Sequence, residues 1–115
     1  MRIKRGVASH AKHSKLRAQT KGYQLVRRSS IKQAKQAILK SLQYQYRDRR
    51  NLKRDLRGLW ITRINAGAKI LGLSYSVLMG GLKRAGVALD RKILSELAVN
   101  QPKAFEAVVE VAKKS

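Results

Sequence analysis

The first 47 residues contain no acidic side chain, and thirteen lysines and arginines are spread through them. No other feature limits the fold as much. A segment of one charge sign repels itself and resists compaction unless a polyanion shares its space. The excess extends over the whole chain, where 27 Lys and Arg face 6 Asp and Glu, for a net charge of +21. It is unevenly placed. Residues 1–57 hold 18 basic residues and two acids, Asp48 and Asp55, a net +16. Residues 58–115 hold nine basic residues and four acids, Asp90, Glu96, Glu106 and Glu110, a net +5. The asymmetry divides the chain into a basic arm and long helix, residues 1–57, and a globular helical domain, residues 58–115.

Residues 1–22 form the arm. Their apolar side chains, Ile3, Val7 and Leu16, are sparse, and Gly6 and Gly22 punctuate them. Such a segment cannot bury enough apolar surface to offset chain entropy, so disorder is expected in isolation. A short helix over residues 9–19 is expected to form on a partner. Between Gly22 and Gly58 there is neither Gly nor Pro. Ser29 or Ser30 can cap a helix that starts near Ile31. Ile31, Ala34, Ile38 and Leu42 give it a narrow apolar stripe, and at about 1.5 Å per residue it would span about 40 Å by Arg57. So polar a helix is rarely a packed core element and needs charge around it.

Further on, Leu52, Leu56, Trp60, Ile64 and Ala68 recur every four residues, and Leu71 follows. That period is one helix face. It is expected to pack, Trp60 included. Gly58 interrupts it and is read as a bend, with residues 58–71 as the first helix of the globular part. Gly72 stands where a C-terminal cap belongs. Ser74 can cap a helix carrying Val77, Leu78 and Leu82 that ends near Gly86. Asp90 can cap a helix with Ile93, Leu94 and Leu97. Gln101 can cap a last helix with Pro102 in its first position, a favoured site for proline. Phe105, Val108, Val109 and Ala112 make its apolar face. Gly80 and Gly81 fall inside a helical pattern and read as a close-packing point. No strand-like alternation occurs. The expected fold class is therefore all-α: a basic N-terminal arm and long helix followed by a small C-terminal helical domain.

The densest motif is YRDRRNLKRDLRGLW, residues 46–60. On a helix, Arg47, Arg50, Arg54 and Arg57 share one side, and Arg49 and Lys53 a neighbouring one. Like charges at these spacings repel by about 0.2–0.5 kcal/mol per pair. Solvated helix faces interleave Glu with Lys, and this one does not. Phosphates would relieve the repulsion, and the planar guanidinium fork suits phosphate oxygens. Asp48 and Asp55 share another face with Tyr44 and Asn51. Neither acid has a basic residue three or four positions away, so they serve either to orient arginines or accept from RNA hydroxyls, or simply as soluble surface. Tyr23, Tyr44 and Tyr46 lie among the basic residues, where tyrosine can stack on bases.

Other functions find little support. The chain has no cysteine, hence no disulfide and no thiolate metal site. His10 and His13 lack further ligands nearby. There is no GxxxxGK[ST] loop and no acid/base carboxylate pair, so no catalysis, cofactor or small-molecule substrate is expected. No apolar run is long enough to span a membrane, and the basic helix has too few bulky apolar residues to insert into a lipid surface. The acid-poor start resembles an organelle transit peptide, but it is rich in Lys as well as Arg and runs unbroken into the long helix. An organelle leader is therefore not the expected reading. Composition by itself leaves two polyanions open, RNA and, for a histone-like compacting protein, duplex DNA.

Eight stretches decide between them: IKRGV near the start, KGY at Lys21, AKQA at Ala34, YRDRR at Tyr46, LWITRINA at Leu59, GLSYS at Gly72, GLK at Gly81 and DRKIL at Asp90. In order and spacing they resemble the L-twenty family of bacterial large-subunit ribosomal proteins over almost the whole chain. The resemblance implies an arm and helix threaded through large-subunit ribosomal RNA, neighbouring ribosomal proteins, and an architectural, early-assembly role without catalysis. Carried over by position, it makes Arg2, Lys4, Arg5, Lys12, Lys15, Lys21, Tyr23, Arg47, Arg49, Arg50, Lys53, Arg54 and Arg57 the RNA-binding candidates. Three places depart from the family pattern. Gly67 replaces a common alanine, His10 and Ser14 replace basic residues, and Leu25 and Val26 replace a more polar stretch.

Overall fold

The computed structural model describes residues 4–115. Six helices follow one another: α1 (Gly6–Gln19), α2 (Val26–Ser29), α3 (Ile31–Ile70), α4 (Tyr75–Arg84), α5 (Arg91–Asn100) and α6 (Pro102–Lys114). Among the described residues there is no strand, and the protein is all-α. The chain divides into two compact units, Met1–Arg50 and Asn51–Ser115, with the residues of α3 shared between them.

In the first unit the arm is not structureless. Residues from Gly6 to Gln19 form α1, longer than the expected helix and with no buried side chain. Ala8, Ala11, Leu16 and Ala18 are good helix formers and no proline intervenes, so local propensity favours helix here. Isolated helices of this length are marginal in water. The helix ends at Thr20, whose hydroxyl donates to the carbonyls of Leu16 and Arg17 at 3.4 and 3.2 Å. Gly22 follows at φ +88°, the left-handed region that favours glycine. The four-residue α2 has no counterpart in the sequence pattern. Ser30 separates α2 from α3 in extended backbone, and its carbonyl accepts from the Ala34 amide at 2.8 Å. Thr20 and Ala34 are fully buried, and the cationic side chains of this unit are exposed among the described residues.

The second unit has a true core. Ile64 and Ala68 of α3, Leu78 and Leu82 of α4, Leu94 of α5, and Phe105, Val109 and Ala112 of α6 form one buried cluster. Helix α6 packs against both α4 and α5. The caps follow the sequence. Gly72 ends α3 at φ +81°, with Gly72 N–H donating to Lys69 and Leu73 N–H to Ala68, the paired bonds of a glycine C-cap. Gly86 ends α4 at φ +71° in the same way, through Lys83 and Leu82. The Asp90 carboxylate accepts from the Ile93 amide at 2.9 Å, and the Ser74 hydroxyl accepts from Val77 at a long 3.5 Å. Gln101 differs from expectation. It contributes only its carbonyl, to Phe105 N–H at 3.1 Å, with no side-chain cap.

Packing corrects further expectations. Helix α3 runs through Gly58 without a break; the Thr62 hydroxyl donates to the Gly58 carbonyl at 3.0 Å, and no atom lies within 4 Å of where a β-carbon would stand. The four-residue stripe is only partly core. Ile64 and Ala68 are buried, Trp60 is half-buried, and Leu52 and Leu56 are exposed. Periodicity reveals which face is apolar, not whether anything covers it. Val77 and Ile93, placed on core helices by sequence, are likewise exposed. Gly81 is the close-packing point: a β-carbon there would clash with the Ala112 carbonyl oxygen. Gly80 faces only the Arg84 guanidinium, at 3.7 Å. Gly67 fits its neighbours as well as weakening its helix, because the Phe105 ring lies 3.0 Å from where its β-carbon would be.

Candidate nucleic-acid interface

Helix α3 carries the arginine motif because nothing between Ile31 and Gly58 breaks it. A regular helix projects Arg47, Arg50, Arg54 and Arg57 along one side by their spacings of three, four and three residues. These four, together with Arg49 and Lys53, are exposed. Arg47, Arg49 and Arg50 belong to the first unit and Lys53, Arg54 and Arg57 to the second.

Neighbours on the helix hold several of these groups in place. The Arg47 guanidinium donates through Nε to Asp48 Oδ1 at 2.8 Å, the one ion pair among the described residues. It also lies 4.4 Å from the centre of the Tyr44 ring, and Lys40 Nζ approaches the same ring at 5.0 Å. Arg50 donates to the Tyr46 hydroxyl at 2.7 Å and sits 4.9 Å from that ring's centre. Arg54 donates to Asn51 Oδ1. The hydrogen bond and charge of Asp48 push the Arg47 pKa above its ordinary value, so this group is charged at any working pH. Each contact is weak on an exposed surface. Their effect is to limit the rotamers of long side chains. The polar residues Tyr44, Tyr46, Asp48 and Asn51 thus act as orienting groups. The sequence indicated the face but not the partners, since Arg47 and Asp48 are adjacent rather than a turn apart.

The arm candidates are placed differently. Lys4 and Arg5 precede α1, Lys12 and Lys15 lie on it, Lys21 follows in the turn, and all five are exposed. Tyr23 is half-buried, its amide donating to the Thr20 carbonyl at 3.0 Å. Arg2 lies outside the described residues. Sequence reasoning passed over Arg27 and Arg28, which make up half of α2. Their signal was available, as an Arg-Arg pair inside the acid-free stretch. Leu25, just before them, adopts φ +53° and ψ −136°, a conformation normally reserved for glycine. No side-chain pattern announces it.

The arrangement is a series of exposed, partly oriented cations with tyrosines between them. It suits a phosphate backbone. No helix among the described residues is long and apolar enough to cross a membrane.

Comparison with known proteins agrees. A family described as ribosomal protein L20 matches residues 2–108. The large ribosomal subunit protein bL20 of Methylobacterium sp. (strain 4-46) is 57% identical over 112 residues, covering 97% of this chain and 90% of its own. Its counterpart in Marinobacter nauticus is 56% identical over 114 residues, covering 99% and 97%. That of Roseiflexus sp. (strain RS-1) is 54% identical over 114 residues, again covering 99% and 97%.

Proposed function

The chain belongs to the ribosomal protein L20 family, and on that premise we propose how its residues serve the large ribosomal subunit. It is a structural, non-enzymatic constituent of that subunit. It binds large-subunit ribosomal RNA beside neighbouring ribosomal proteins in the bacterial cytoplasm, and it supports early assembly. The observation that carries the reading is the near-full-length identity to proteins of that name.

The mechanism we assign is charge neutralisation by residues 1–57, with residues 58–115 as the self-folding part. Lys4, Arg5, Lys12, Lys15, Lys21 and Tyr23, with Arg2 before them, line the arm. Arg47, Arg49, Arg50, Lys53, Arg54 and Arg57 line the helix. Each phosphate they meet releases condensed counterions, and that release is the main driving force. RNA segments that would repel one another can then pack closely. The exposure of those among the described residues and the scarcity of acids beside them support the assignment.

The rival polyanion is duplex DNA. Competition between a folded large-subunit RNA fragment and duplex DNA of equal length, at matched salt, separates the two. Clear preference for the RNA is expected. Equal affinity would favour a DNA-compacting protein.

A further inference from the structure

The turn between α1 and α3 bears a concavity of about 420 Å³, lined by Gln24, Leu25, Val26, Arg27 and Gln33, all within the first unit. That volume lies in the usual range for small-ligand sites, on the order of 300–1,000 Å³. Two features coincide there, and the second occurs at no other non-glycine residue among those described. Leu25 is 82% exposed and Val26 57% exposed, so two bulky apolar side chains stand in water. Leu25 also holds a backbone conformation that L-residues rarely adopt. Non-glycine residues in such conformations cluster at binding sites, where something outside the local chain compensates them.

We propose that this concavity receives a single unpaired nucleotide of RNA, a role that rests on the RNA-binding function above. The chemistry of the lining defines the occupant. Gln24 and Gln33 each offer an amide donor and acceptor, which match the mixed edge of a nucleobase. Leu25 and Val26 supply an apolar surface for the face of the base, and such side chains hold unstacked bases. Arg27, with Arg28 adjoining it, supplies charge for the flanking phosphate. A protein segment would fit the apolar pair but would gain nothing from the surrounding charge unless it were acidic. Among residues 4–47 there is no acid to compete with phosphate. A paired base could not enter, since its edge is occupied and its faces are stacked.

The test uses the full chain and transcribed large-subunit ribosomal RNA. Dissociation constants are measured from 50 to 200 mM salt, and base-edge reactivity is mapped by chemical modification. Joint Gln24→Ala and Gln33→Ala substitution should raise the dissociation constant by about tenfold at every salt, as expected for lost base hydrogen bonds. The salt slope should stay unchanged because no phosphate contact is lost. One nucleotide protected by the unaltered protein should become reactive. Leu25→Gly removes the apolar side chain at a position whose backbone glycine prefers, so it tests the contact without adding strain. It should expose the same nucleotide. Affinity within twofold of the unaltered protein, with an unchanged reactivity map, would overturn the proposal while leaving RNA binding intact. Failure of the unaltered protein to prefer RNA over DNA would overturn both. Because the chain has no cysteine, Arg28→Cys can carry a unique photoreactive label into complete subunits. Cross-linking to RNA is expected, and cross-linking to protein alone would contradict the assignment.

Discussion

The two units meet the demands of folding by different means. Asn51–Ser115 buries eight apolar side chains in one cluster and closes its helices with glycine and Asp90 caps. Met1–Arg50 has, among its described residues, two fully buried side chains, Thr20 and Ala34, and carries most of the positive charge. Both are helical. In one, helices form because their apolar faces meet. In the other, helices have good local propensity and no comparable core, and their cations lack the acids that usually neutralise them. A high helix content therefore says little about where stability resides. Burial and charge balance say more.

The contrast is tested most strongly by salt. A protein making roughly 6 to 10 phosphate contacts loses about 10³ to 10⁵ in affinity between 50 and 200 mM salt. Residues 1–57 provide cations for that many, so full-length binding isotherms should fall across this range. A flat response would remove the distinction between the two regions. Next in size is the core. Leu94→Ala, at a fully buried site, should cost about 2–5 kcal/mol of stability. Leu39→Ala, on an exposed face of α3, should fall within about 0.5 kcal/mol. Thermal unfolding followed by circular dichroism compares them directly, and equal costs would show that the basic half packs as tightly as the core.

A smaller effect separates phosphate contacts from packing. Joint Arg50→Ala and Arg54→Ala substitution should reduce the slope of log affinity against log salt by about two, near one per lost phosphate contact. The melting temperature should barely move, since both side chains are exposed. A large fall in melting temperature at constant slope would make these arginines structural. Smallest are the glycines. Gly58→Ala should stabilise by about 0.5–1 kcal/mol, because the position is mid-helix and open. Gly81→Ala should destabilise by about 1–3 kcal/mol, because the added carbon meets the backbone of α6. Opposite signs for one substitution on two helices are the expected result, read by chemical denaturation.

Much of this was legible in the residues. Gly72, Gly86, Asp90 and Pro102 mark helix ends through local chemistry that depends on few neighbours, and the structure places caps or starts at each. The arginine motif and its helix were legible for the same reason. The stripe from Leu52 to Trp60 misled because covering an apolar face is a tertiary event. Gly58 misled because one glycine costs a long helix only about 1 kcal/mol. The Leu25 conformation and α2 depend on how the chain turns between α1 and α3, and no periodic signal encodes them. The partners of Arg47 and Arg50 are half visible: Tyr44, Tyr46 and Asp48 stand out among the basic residues, but which arginine each one holds depends on side-chain rotamers that spacing does not encode.

The central claim is that the C-terminal unit holds its own structure while the basic half gains its rigidity from RNA. Amide hydrogen exchange of the full chain, with and without large-subunit ribosomal RNA, tests it most directly. Without RNA, the amides of Leu82, Leu94 and Val109 should exchange slowly, and those of Gly6–Gln19 within a few-fold of the unfolded rate. With RNA, the α1 amides should become protected and the core should change little. Strong α1 protection in the free protein, or none after RNA is added, would contradict the account.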